Sequence, residues 1–220
     1  MTKWSVDHLL TGTAAKFRDN EKSAICKQPV SDPVRITKLG LEGDEQADPK
    51  HHGGPHMAVH HYPFDHHRFW REQIGDHALL DDVGAFGSNL SVKGLDETAV
   101  KLGDRFQLGS AVLEVSQPRM PCWKIEHRFG RTGMVAKIIK TGKSGWYYRV
   151  ITEGVAQAAD TLEAISTSAT EWTIERILLA IAYPKTEVDI AELEAMAACD
   201  LLGPSWRAGA DKKIEYLKTL

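Results

Sequence analysis

VSQPRMPCWK, residues 115–124, is the stretch around which the rest of the chain is organised. It follows an apolar run, residues 111–115, and carries two prolines, with Cys122 directly after the second. Proline fixes its own φ and pushes the preceding residue into extended geometry, so Pro118 and Pro121 predict a stiff, non-helical loop at a strand end. Arg119 precedes the thiol and Lys124 follows it, and nearby cations favour the thiolate, the form that attacks or binds a metal. The alternative is a small buried hydrophobe, the usual state of a free cysteine.

Outward from this loop the chain reads as short strands punctuated by glycine and proline. Gly109 and Ser110 separate residues 105–108 from 111–115, a tight hairpin. Residues 146–151 are rich in aromatic and β-branched side chains, as a strand requires. Residues 23–27, 57–62 and 86–92 are further extended candidates, and Val34 and Ile36 alternate with polar residues in a half-buried pattern. Residues 65–74 read as a helix with Pro63 near its first turn. Many strands and few long helices predict a mainly β fold, a β-barrel or strongly bent sheet, over residues 1–166.

The pattern changes in residues 167–220. Thr173 is placed to cap a helix over 174–182, with Ile174, Ile177, Leu178 and Ile181 on one face, and Pro184 ends it. A second amphipathic helix is predicted over 187–199 and a third that includes 212–217. The plain reading of this three-helix appendage is packing or homodimer formation; DNA binding is disfavoured, because Glu187, Asp189, Glu192 and Glu194 have the wrong sign to lie along phosphates.

With 220 residues, 42% hydrophobic and 26% charged, the chain suits one good core or a core plus an appendage. A formal net charge of −3 argues against broad nucleic-acid or anionic-membrane binding. No apolar run is long enough to span a bilayer, and MTKWSVDHLL lacks the apolar core of a secretory signal, so a cytoplasmic location is expected. Cys26, Cys122 and Cys199 form neither a disulfide framework nor a C-x-x-C pair, so no cysteine-bound electron relay is expected.

Eight of the ten histidines, His51, His52, His56, His60, His61, His66, His67 and His77, fall in one short region. His52, His56 and His60 have the spacing of zinc ligands on a helix, but Gly53, Gly54 and Pro55 break that helix and no H-E-x-x-H is present. On a strand, His60 and His61 point to opposite faces. His66 and His67 beside Arg68 read as a solvated helix face. His52 stands out because the Gly53-Gly54-Pro55 turn after it lets backbone approach an anion or a planar polar group; a purely structural turn is the alternative. LGLEGD, residues 39–44, reads as a solvated turn. In FGSNL, residues 86–90, Asn89 beside Gly87 either recognises a heterocycle edge or serves as a turn residue. Ser116 and Gln117 either satisfy local backbone or face a ligand.

In order, LGLEGDEQAD, HHGGPHMAVHHYP, FGSNLSV, LGDRFQLG, VSQPRMPCWK and TGKSGWYYRV resemble the signature blocks of the MOSC domain, named for the C-terminal part of molybdenum cofactor sulfurases. The resemblance covers nearly all the chain after about residue 23 and extends to a subgroup whose domain is followed by three short helices. It implies a bent β-barrel that binds a molybdenum–pterin cofactor, with Cys122 as protein ligand to the metal and no pyridoxal phosphate. It further implies that His52 is catalytic with Cys122, and that Arg119, Asn89, Ser116, Lys124, Gly87 and Gly53 line the cofactor side. His56 stands where relatives often carry an acidic residue, and Ser88 where a glutamate is common.

The implied activity is reduction of N-hydroxylated compounds, such as hydroxylaminopurines and amidoximes, with a detoxifying role and a separate reductase as electron donor. Two other readings stand beside it: a carrier of molybdenum cofactor or sulfur without turnover, and a cysteine-dependent transferase or hydrolase with His52 as base.

Overall fold

The structure, a computed structural model, describes residues 2–48 and 52–219; His51 of the histidine-rich region lies outside them. The chain opens with β1 (Lys3–Ser5), β2 (Leu9–Thr11), β3 (Ala15–Arg18), β4 (Glu21–Ser23), β5 (Gln28–Val30), β6 (Val34–Thr37) and β7 (Gly40–Leu41). Next come a 3-10 turn (Pro55–Met57), β8 (Val59–His61), α1 (His66–Ile74) and a second 3-10 turn (Ala78–Asp81). The hairpin β9 (Arg105–Leu108) and β10 (Ala111–Pro118) leads to α2 (Trp123–Phe129), α3 (Met134–Thr141) and β11 (Trp146–Thr152). β12 (Gly154–Ala156) and β13 (Thr161–Ser166) complete the strands, and α4 (Ile174–Ala182), α5 (Ile190–Ala198) and α6 (Pro204–Leu217) follow.

The main sheet has six antiparallel strands in the order β1-β13-β9-β10-β11-β8. It is curled but open, with β1 and β8 at its edges, so the expected barrel is a half-barrel. Three smaller sheets, β12-β6-β7, β2-β5 and β3-β4, accompany it. The main core lies in the curl, where Val59, Phe106, Leu113, Val115, Trp146 and Tyr148 pack together. β11 shows why: WYYRVIT alternates buried and half-exposed positions along most of its length.

The long central pair β10–β11 shifts register between Val115 and Gln117, so Ser116 has no opposite residue. That bulge bends the strand just before the proline loop, and bulges characteristically re-aim a strand end beside a site. Its hydroxyl is used at once, with 2.6 Å to the His56 carbonyl and 3.0 Å to that of Tyr147.

Several local expectations change. The strand expected over 23–27 ends at Ser23, and residues 24–27 are irregular. Residues 86–92 form no strand; Leu90 alone makes isolated bridges, to Leu9 and His61. The proline loop is shorter than expected, because α2 begins at Trp123 with Cys122 as its N-cap residue. Helices α2 and α3 support a second apolar cluster containing Trp70, Phe86, Ile125, Phe129 and Ile138.

The C-terminal helices have a cluster of their own, with Ile177, Leu178, Leu193, Met196, Leu202 and Trp206 around Leu102. Thr173 caps α4 as expected, accepting from the Arg176 amide at 3.1 Å. α5 begins at Ile190 instead of residue 187, and α6 begins at Pro204, where proline sits in the first turn and its missing N–H costs nothing. The Gly203 amide donates to the Ser116 carbonyl at 3.2 Å, tying α6 to the bulge. Among the described residues no helix is long and apolar enough to cross a membrane.

Candidate functional site

Cys122 is half-buried and lies on a wall shared by two hollows. The inner one is a cavity of about 100 Å³; the outer one is a groove of about 540 Å³. Both are lined by Ala47, His52, Cys122 and Lys124. Two separate stretches therefore meet at the sulfur: the segment of Ala47 and His52 before the Gly53-Gly54 turn, and the continuous run from the proline loop into the first turn of α2.

The cavity wall is polar and its groups are mostly committed to one another. Asn89 accepts from the His60 amide at 3.0 Å and donates to the Leu10 carbonyl at 3.1 Å and to Asp44 Oδ2 at 2.8 Å. Both of its N–H groups are thus spoken for within the chain, so the amide acts as a strut and not as a reader of a heterocycle edge. Asp44 Oδ1 also accepts from the Gly12 amide at 2.8 Å and from the Lys27 ammonium. The LGLEGD segment is therefore not a simple solvated turn: its last carboxylate is buried and anchors the wall. Burial pulls the Lys27 pKa down, and Asp44 opposes that pull without cancelling it.

Gly87 lies on the wall at φ +75°, where a Cβ would stand 2.7 Å from Ile25 Cγ1. Its carbonyl is 3.1 Å from His60 Nδ1. A carbonyl only accepts, so Nδ1 carries the proton and Nε2 is left with a bare lone pair. His60 is neutral: burial drives its pKa well below the ordinary value, and the Arg119 charge adds to that. Its Nε2 is buried and has no hydrogen-bond partner.

Arg119 is 7% exposed. Its backbone N–H donates to the Gly145 carbonyl at 3.0 Å, and its Nη1 is buried without a partner. Tyr147, on β11, faces the same cavity, and burial raises its phenol pKa against the pull of Arg119. It therefore remains a neutral donor at physiological pH. Gly53 borders the cavity at φ +89°, packed on the Gln46 side chain.

The structure thus brings Cys122, His52, Arg119, Asn89, Lys124, Gly87 and Gly53 to one cavity. Ser116 is not on that wall; the bulge turns its hydroxyl onto backbone. Lys27, Asp44, His60 and Tyr147 are on it without having been singled out as wall residues. The available signals were the buried half of the LGLEGD turn and the strand 57–62, whose one face must point at the site. His56 contacts Arg149 at 3.3 Å, and Ser88 is buried with its hydroxyl 3.4 Å from the Val83 carbonyl; neither lines the cavity. His66 and His67 do not form a solvated face either. Both are buried, with His66 Nε2 2.7 Å from Glu97 and His67 Nδ1 2.9 Å from the Leu80 carbonyl.

Among the described residues no three His, Cys, Asp or Glu side chains are grouped to cage an ion. Cys122 is a lone soft donor, which suits a transition metal arriving with ligands of its own. The unpartnered guanidinium nitrogen is the complement of an anionic group on such a carrier. A cavity of about 100 Å³ is smaller than the roughly 300–1,000 Å³ of small-molecule sites, and the adjoining groove supplies the missing volume.

A half-barrel carrying this cysteine on the wall of a polar cavity defines a class. The MOSC domain family model matches residues 48–163, and the chain belongs to that family. Within it the chain is YiiM-like. It is 42% identical to Protein YiiM of Escherichia coli (strain K12) over 164 residues, 74% of this chain and 73% of that protein. The crystal structure of YiiM from Escherichia coli superposes with a TM-score of 0.80 at 31% identity, covering 98% of this chain and 94% of that one. A protein named Reductase from Gibberella moniliformis (strain M3125 / FGSC 7600) is 35% identical over 181 residues, 81% of this chain but 32% of that protein's length.

Proposed function

We propose that the protein binds a molybdenum–pterin cofactor through Cys122 and reduces small N-hydroxylated compounds, including hydroxylaminopurines and amidoximes, with electrons from a separate reductase. The observation that carries this reading is the half-buried Cys122 on the wall common to cavity and groove. The relative named Reductase supports the electron source, since about two thirds of its length has no counterpart in this chain.

When bound, the group would supply a two-electron redox centre for removing the oxygen of an N–OH group. The net change, R–NHOH + 2 e⁻ + 2 H⁺ giving R–NH2 and H2O, takes its electrons from the reductase and its protons from solvent. The chain's own part is to bind and orient. Cys122 offers sulfur to the metal, and Arg119 offers its unpartnered Nη1 to an anionic oxygen. His60 accepts a hydrogen bond at Nε2 and Tyr147 donates one, and the two rings lie 5.0 Å apart on neighbouring strands, so donor and acceptor are fixed side by side on one wall before anything binds. The Lys27–Asp44–Asn89 network holds that wall rigid. The groove, flanked by Lys124 and His52, admits substrate.

Protein made in a host that synthesises the cofactor tests the reading. Molybdenum and pterin at one per chain are expected in wild type, with more than about a tenfold loss in Cys122→Ala, since losing even an outer-shell partner of a metal ligand costs about that much. Wild type free of both would sink the proposal. Full binding with no reduction of any N-hydroxylated compound, given a competent electron donor, leaves the carrier. Absence of cofactor with alkylation of Cys122 during turnover gives the nucleophile.

A further inference from the structure

The geometry points to Glu97 as the positioning residue that holds the Arg119–Cys122 segment in place; the inference rests on the cofactor reading of that segment. Glu97 is 2% exposed and does not line the cavity. A carboxylate so hidden from water must be matched by donors, and each of its oxygens has one. Oε2 is 2.7 Å from His66 Nε2 of α1, and Oε1 accepts from the Gly145 amide at 2.6 Å. Its own carbonyl accepts from the Glu175 amide of α4 at 3.0 Å.

Gly145 is the hinge of this arrangement. It lies at φ +72°, and a Cβ there would be 2.3 Å from the His61 carbonyl and 3.1 Å from His60 Nε2. Its carbonyl accepts from the Arg119 amide at 3.0 Å. One carboxylate therefore fixes the glycine whose carbonyl holds Arg119, three residues before Cys122, and the space a side chain would need at that glycine is closed by the unpartnered nitrogen of His60. The helical region leans on the same loop, since Gly142 is packed so that a Cβ would lie 2.7 Å from Glu175 Cγ. At position 97 an apolar residue would strand the Gly145 amide and the His66 ring together. Glutamine would not, because its oxygen still accepts from Gly145 and its NH2 can donate to a ring nitrogen.

Amide hydrogen exchange on the full chain without cofactor tests this directly. Glu97→Ala is expected to speed exchange at the Gly145 and Arg119 amides by about tenfold, the effect of one lost buried hydrogen bond. Glu97→Gln restores protection. Leu193→Ala, chosen in the helical cluster to match the loss of thermal stability, leaves both amides protected. In cofactor-loaded protein, Glu97→Ala releases molybdenum and pterin faster on dialysis, and the Leu193 variant does not. Should the alanine variant fail to fold, Glu97→Asp keeps the charge but is one methylene too short for both partners, and the same two amides should exchange faster. Unchanged protection in folded Glu97→Ala or Glu97→Asp, or equal loss in Leu193→Ala, overturns the inference. Wild type that never binds cofactor would sink the proposed function and leave the exchange result standing.

Discussion

Around Cys122 the buried side chains are Lys27, His60, Asn89 and Arg119, together with the hidden carboxylate of Asp44, whereas between α4, α5 and α6 they are Ile177, Leu178, Leu193, Met196, Leu202 and Trp206. Burying the second set is favourable in itself, at about 25 cal/mol per Å² of apolar surface removed from water. Burying the first set is costly unless every polar atom is partnered, and two of them, His60 Nε2 and Arg119 Nη1, are not. The difference teaches how labour is divided. The helices and the half-barrel core supply stability, and the wall spends part of it on groups held ready for something that is not protein.

The largest expected effect separates the two regions by acid. Residues 167–220 contain no histidine, while β8 and α1 bury four. Burial first, and then the neighbouring His66, push the His61 pKa down to about 3. His60 is driven well below its ordinary value and His67 is lowered, burial leading in both. The unfolded chain therefore takes up protons near pH 6.5 that the folded chain refuses. Stability is complete above that pH and falls as pH drops toward 3, with a ceiling of roughly 5 kcal/mol from His61 alone. Urea melts at pH 7.5, 5.5 and 4.5 check the slope, and His61→Gln should flatten it. A profile level down to pH 4.5 would contradict the contrast.

Next in size is the helical cluster. Leu178 is fully buried there, so Leu178→Ala should cost about 2–5 kcal/mol. Denaturant melts measure that loss, and metal and pterin analysis of the folded fraction should show no change. If cofactor content falls in parallel, the regions are not separable in the way their side chains indicate.

A smaller handle lies at the start of the same helices. Thr173→Ala removes the hydroxyl that accepts from the Arg176 amide and should cost about 1 kcal/mol in the same melts. Its position was legible in advance because a cap followed by a 3.6-residue apolar period is a local signal. So were the hairpin β9–β10 and strand β11. The proline loop was legible for the same reason, and it brought Cys122, Arg119 and Lys124 to the cavity with it. What could not be read was set by partners distant in sequence. His66 looks solvated beside Arg68 until Glu97 is found 31 residues away. Asp44 looks like a turn residue until Asn89 and Lys27 close on it. Helix α3 left a local trace, Met134 and Ile138 one turn apart and both buried, but eight residues between two glycines are too few to show a sustained apolar period. The resemblance put Ser116 on the cofactor side, but a one-residue bulge, invisible in the pattern, turns its hydroxyl onto the His56 and Tyr147 carbonyls, the backbone alternative.

The smallest change in stability should come from Arg119→Met, and its near absence would be the informative result. Methionine keeps much of the arginine stem's bulk, and the Arg119 backbone amide still reaches Gly145. What is lost is a buried charge that keeps an interaction with Tyr147 but leaves Nη1 unpartnered. Taking such a charge out of a fold is commonly neutral or favourable, so cofactor-free Arg119→Met should lie within about 1 kcal/mol of wild type or above it. An ordinary structural arginine of the same burial would instead cost several kcal/mol. Inorganic phosphate then makes the distinction functional. At about a hundred times its dissociation constant, a ligand that binds only the folded state raises stability by about 2.7 kcal/mol. Phosphate should raise the melting temperature of wild type in this way and leave Arg119→Met where it was. Equal shifts in both proteins would remove the anion from the cavity wall and place it elsewhere on the surface.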